Sequence, residues 1–262
     1  VTTTLVPGSA RALLALGDDA LLASQRLGWW ISRAPVLEED VALANIGLDL
    51  LGQARGLLAR AGELEGRGRD EDALAFWRDA PDFRHVCLVE RDQRDFGTTM
   101  VRLLLLATWQ RELYARLAAS SEPGLAAVAG KAVKEVAYHV DHARAWVLRL
   151  GDGTEESHLR VQRALDAEWP WVSELFDGSW LDPEVVAAGV LPWPDELRPT
   201  VLGEVAAVLA RATLRLPDGL ADGLAPEPGG RLRGRHGEHT DELPGLLARM
   251  QQVARAHPGA TW

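Results

Sequence analysis

The chain of 262 residues is 47% hydrophobic and 25% charged, enough apolar material for a sizeable core. A formal net charge of −10 argues against a general nucleic-acid or anionic-membrane binder, and no apolar run reaches membrane-spanning length. The single cysteine, Cys87, can form no internal disulfide, and the start of the sequence has no signal-peptide character, so a cytoplasmic location is expected.

Helical periodicity dominates throughout, and no segment of similar strength reads as a strand. A first helix is predicted over 9–31 and, after Pro35, a second over 37–60. In the second, Leu37, Val41, Ala44, Leu48, Leu51 and Leu58 make one apolar row, which Leu43, Ile46, Leu50, Ala54 and Leu57 widen. A helix apolar over so much of its circumference is expected to lie enclosed among others. A charged, glycine-containing turn at 66–72 leads to a short helical piece at 71–77, and 91–95 reads as a polar break. The next helix, 96–117, carries Leu103 to Leu106 in succession and is likewise expected to be enclosed.

Ser120, Ser121, Glu122 and Pro123 offer capping and first-turn chemistry to a helix over 124–150, which Gly151 and Gly153 end. A helix over 155–176 contains Pro170, which should kink or interrupt it. Residues 177–194 read as an irregular arm, 195–216 as a helix, 217–237 as a long Gly/Pro loop and 240–256 as a closing helix. Short links between long helices imply antiparallel neighbours. The expected architecture is all-α: a four-helix bundle over 9–176 with peripheral helices and a C-terminal extension over 177–262, in one domain 1–262.

Asn45, Asp49 and Gln53 recur every fourth residue and form a polar line on the second helix. Polar groups on a buried helix need partners. They could belong to a site in the bundle core, as in di-iron carboxylate proteins, or to an internal hydrogen-bond and ion-pair network. Glu135, His139 and His142 share a flank of the 124–150 helix and could chelate a metal. A di-iron site wants a histidine three residues after its helix carboxylate, but Gly52 follows Asp49 and Tyr138 follows Glu135 at that spacing. No bound metal is therefore expected. The run 235–241 holds Arg235, His236 and His239 near a helix start, with Thr240 or Asp241 as a cap, and the three are read as partner contacts. Arg231 and Arg233 complete a local basic cluster there.

Several segments resemble the C-subunit family of the bacterial ring-1,2-phenylacetyl-CoA epoxidases. They include Leu16-Gly17-Asp18-Asp19, Leu43-Ala44-Asn45-Ile46-Gly47-Leu48-Asp49-Leu50-Leu51-Gly52-Gln53-Ala54-Arg55, Lys134-Glu135 with Tyr138-His139, Glu174-Leu175-Phe176 and the stretch 234–241. The resemblance covers almost the whole chain and is weakest over 177–217. It implies a ferritin-like subunit of a multicomponent, NADPH-dependent monooxygenase in phenylacetate catabolism. In such a complex the A subunit holds the di-iron centre and epoxidises the aromatic ring, while the C subunit pairs with it. The chain would then be a non-catalytic structural subunit with no cofactor of its own, partnered by the catalytic A subunit and the other subunits. Asn45, Asp49, Gln53, Glu135 and His139 would be a vestigial metal-site framework. The alternative is a self-sufficient di-iron oxygenase using Asp49, Glu90, Glu135 and His139.

Overall fold

The computed structural model describes residues 6–220 and 233–260; Arg231 and much of the expected 217–237 loop lie outside the described residues. The first helix, α1 (Ser9–Gly28), stops before residue 31 because the chain turns to seat Trp30. The indole N–H of Trp30 donates to Thr99 Oγ1 at 2.9 Å, and Ser32 takes up the left-handed region at φ 67°. Helix α2 (Leu37–Glu65) runs past the expected residue 60 until Gly66, at φ 67°, closes it by donating to the Gly62 carbonyl. A Cβ on Gly62 would overlap the Arg69 carbonyl oxygen, so the following turn folds back against bare backbone. Alanine's better helix propensity, about 1 kcal/mol, does not offset that overlap. Gly62→Ala is expected to lower the urea-unfolding free energy by about 2 kcal/mol.

The 66–95 connection holds the short α3 (Glu71–Phe76) and 3₁₀ turns at Ala80–Asp82 and Cys87–Val89. Helix α4 (Phe96–Leu117) is capped by Asp95, and α5 (Pro123–Gly151) by Glu122, whose carboxylate accepts from the Leu125 N–H at 2.6 Å. Helix α1 packs along α2, and α4 along α5. Side-chain pairs from α2 to α5 run in opposite chain directions (Asp49 with His139, Gln53 with Glu135), so these two helices are antiparallel. Helices α2 and α4 are then parallel, which needs the long crossover between them. A bundle of two hairpins joined by one such crossover is the ferritin-like topology.

Helix α6 (Glu155–Glu168) starts on a Thr154/Ser157 capping box and gives way at Pro170 to a 3₁₀ stretch, Trp169–Phe176. The arm beyond it contains the short α7 (Pro183–Ala187). Helix α8 (Arg198–Arg211) is shorter than expected, because Pro199 confines its start and Thr213, at φ 57°, follows its end. The closing α9 (Leu243–Ala256) returns to α3, where Gln251 Nε2 donates to the carbonyls of Ala75 and Arg78 at 3.2 and 2.8 Å. There is no strand among the described residues, and none of the described helices is long and apolar enough to cross a membrane.

Enclosure falls differently from the expectation. Helix α4 is buried without a break from Gly97 to Gln110, as its leucine run implies. Helix α2 is not enclosed: Leu37, Val41 and Leu48 stand 74%, 54% and 63% exposed. Helix α1 is the second enclosed element, buried from Ala15 to Ser24. Helices α1 and α5 cover two sides of α2, and α3 with the turn before it covers the C-terminal part of the third, which leaves the N-terminal part of that side bare. Trp29, Ile31 and Val36 on the preceding connection are exposed too, so the bare row continues into an apolar patch of the kind that marks an interaction surface.

Candidate functional site

Each four-residue step advances a helix by about 40° beyond a full turn. The polar line on α2 therefore winds from the surface into the bundle: Asn45 is exposed, Asp49 sits at the rim and Gln53 is buried. Gln53 Nε2 donates to Glu135 Oε2 at 3.1 Å, and His139 Nε2 meets Asp49 Oδ2 at 3.1 Å. Lys131 lies 3.4 Å from the other oxygen of Glu135. His142 Nε2 approaches Glu39 Oε2 to 3.0 Å, off the hydrogen-bond direction, and the ring of Tyr138 covers His142 from outside. Burial holds the His139 imidazole below the usual histidine range, against the opposing pull of Asp49. A neutral His139 can donate through Nε2 and stabilise this seam.

The seam does not fit a di-iron group. Such a centre draws carboxylates from four helices, whereas only α2 and α5 supply acids and imidazoles here. Both acids of α1 are engaged elsewhere, Asp18 by Arg78 and Asp19 by Arg235. The acid of α4, Glu112, pairs with Arg116. Four buried polar atoms of the seam make no hydrogen bond of good geometry: Gln53 Oε1 and His139 Nδ1, and Glu39 Oε2 and His142 Nε2, which face each other. Even so, no three metal-ligating side chains of the seam converge within 4.8 Å of one another. Beyond Gly52 a Cβ would meet open space, and Tyr138 is half-exposed. The spacing of three counted in the sequence thus addresses the outside of these helices, and the inward neighbours lie at spacing four, Gln53 after Asp49 and His139 after Glu135. Glu90, counted in the oxygenase alternative with Asp49, Glu135 and His139, is not brought to them; it is fully buried with His85 and His239.

The 235–241 stretch also differs from the expectation of partner contacts. Arg235 is 1% exposed, and its guanidinium bonds Asp19 at 2.6 Å and the carbonyls of Ala15 and Arg84 at 2.9 and 3.0 Å. The His239 side chain points inward at Glu90, and only His236 of the three is exposed, 3.2 Å from Ser179 Oγ. The reason is charge balance: two adjacent aspartates in the middle of a buried helix require cations, and Arg78 and Arg235 come from distant segments to meet them. Asp18-Asp19 inside an otherwise apolar helix is the available signal in the sequence. Its partners are not readable there, because they lie 60 and 216 residues away.

Glu174 closes this region, accepting from the backbone N–H groups of Cys87 at 2.7 Å and Arg235 at 3.1 Å. Burial pushes its carboxyl up to about 7 despite those two donors. A raised folded-state pKa means that the native state holds the extra proton between about 4.5 and 7, so this contribution to stability is lost as pH rises through that window. Comparing wild type with Glu174→Gln by urea unfolding at pH 5 and pH 8 isolates it. The wild type should lose roughly 2 kcal/mol relative to the variant across that change, and an unchanged difference would mean the carboxyl ionises normally.

The model of the family described as phenylacetic acid catabolic protein matches residues 5–262. A protein of Escherichia coli (strain K12), named as the C subunit of 1,2-phenylacetyl-CoA epoxidase, is 43% identical over 249 residues, covering 95% of this chain and 97% of that one. With a match of that extent and an all-helical, ferritin-like bundle to carry it, the chain belongs to the phenylacetic acid catabolic protein family.

Proposed function

We propose that this chain is the structural C subunit of a 1,2-phenylacetyl-CoA epoxidase, pairing with a di-iron catalytic A subunit and holding no di-iron centre itself. One observation carries the non-catalytic part: the α2/α5 seam is closed by residue-to-residue pairs, with no convergent ligand set and no acid from α1 or α4. The kinship to an epoxidase component supplies the context, and the bare apolar row of α2 is the surface available for pairing.

Co-expression with a catalytic A subunit tests this directly. A stable hetero-oligomer is expected on size-exclusion chromatography, with iron and oxygen-dependent turnover tracking the A subunit. Two irons per chain in this protein purified alone, with oxygen reactivity, would overturn the proposal in favour of a self-sufficient oxygenase.

A further inference from the structure

Outside the bundle seam, one cluster of potential ligands converges. His85 from the crossover, Glu90 just before α4 and His239 just before α9 bring one ligand atom each within 4.8 Å of the others, the sole such group among the described residues. His85 and Glu90 are fully buried, and the His239 side chain is 5% exposed. A single oxygen, Glu90 Oε2, faces His85 Nε2 at 2.6 Å and His239 Nδ1 at 2.9 Å. The two imidazole rings stack 4.4 Å apart, tilted by 19°.

The outer contacts of these groups orient them toward one another. His239 Nε2 faces the Phe83 carbonyl oxygen at 3.2 Å, an atom that can only accept, so the proton of a neutral ring belongs on Nε2. Nδ1 then meets a carboxylate oxygen, a contact that needs a second ring proton or a bound cation between the two atoms. The other carboxylate oxygen, Glu90 Oε1, accepts from the Thr240 N–H at 2.5 Å and is fixed in place. A histidine donating its far N–H to a backbone carbonyl, beside a carboxylate held by a backbone amide, is the outer-shell arrangement that orients ligands around a metal.

We propose that His85 Nε2, His239 Nδ1 and Glu90 Oε2 form a binding site for a single divalent transition-metal ion of the Zn²⁺ class. Two imidazoles and a carboxylate are a donor set suited to such ions. Ligand atoms around a tetrahedral Zn²⁺ stand roughly 3.3 Å apart, so the pairs at 2.6 and 2.9 Å must open by about 0.7 and 0.4 Å as the ion replaces the shared protons. The ion would tie the 85–90 crossover to the entrance of α9 and so staple the C-terminal segment to the bundle. It is unrelated to the α2/α5 seam and does not depend on pairing with an A subunit.

The purified full-length chain, stripped with a chelator and titrated with Zn²⁺ alone by calorimetry at pH 7.5, tests the site. Saturable binding of one equivalent is expected, with a thermal midpoint at least about 5 °C higher at a hundredfold excess over Kd. Glu90→Gln and His239→Asn should each weaken binding by about a hundredfold or more, while His139→Ala, in the seam, leaves it unchanged. The absence of saturable binding by the wild type, which requires no variant to fold, overturns the proposal. So does a site that survives Glu90→Gln and is lost in His139→Ala.

Discussion

Arg235→Ala is expected to cost about 3–5 kcal/mol of unfolding free energy and to lower the thermal midpoint by about 10 °C or more. The guanidinium is buried against Asp19, donates to two main-chain carbonyls from separate parts of the chain and lies 4.8 Å from the Trp180 ring. Its removal leaves a buried carboxylate without its cation and takes a donor from the Ala15 and Arg84 carbonyls, so desolvation that the pair now offsets becomes a net penalty. Urea unfolding of the single variant and of Asp19→Asn/Arg235→Met separates the two costs. The double variant, with no orphaned charge, should recover at least half of the loss. A single-variant cost under about 1 kcal/mol would mean that water reaches the pair, and the buried-pair account would fail. Because Arg235 belongs to the C-terminal segment, the single variant should also be cut more readily by protease around 233–242.

Leu48→Glu should leave the isolated chain within about 0.5 kcal/mol of wild type while weakening its association with the A subunit by about a hundredfold or more. Leu48 is 63% exposed and its loss removes little from the core, but it belongs to the exposed row that includes Leu37 and Val41. Desolvating a carboxylate within an interface is costly, whereas the same carboxylate on a free surface is hydrated. The measurement is a titration of each variant against the A subunit, with Asn45→Asp as a polar control on the same exposed side of the helix. Undiminished affinity of Leu48→Glu would move the pairing surface elsewhere on the chain and leave the apolar row without this role.

Much of the fold is legible in the linear chain because its causes are local. Apolar spacing announces the bundle helices, Glu122 and Pro123 start α5, and Pro170 turns α6 into a 3₁₀ stretch within two residues of itself. The motif around Asp49 is also sufficient to indicate the family. What the sequence does not decide is which face of each helix finds a neighbour. The rows of α2 and α4 look equally apolar, yet α4 is enclosed and α2 leaves Leu37, Val41 and Leu48 bare, because enclosure depends on how many helices surround an element. The same holds for the polar groups. Asp49 and Gln53 lie four apart in sequence, but only the rotation of α2 against α5 determines that each meets a residue of α5 in a pair. Arg235, His239 and Glu90, taken singly, look like surface contacts or a bundle ligand, and the tertiary structure joins them to Asp19 and His85. By itself the sequence determined an all-helical chain of this family without the expected Glu-x-x-His spacing. The buried partners of its charges, its bare face and the convergent ligand cluster among the described residues were decided by tertiary contacts between segments 60 to 216 residues apart, where no local rule of helix spacing applies.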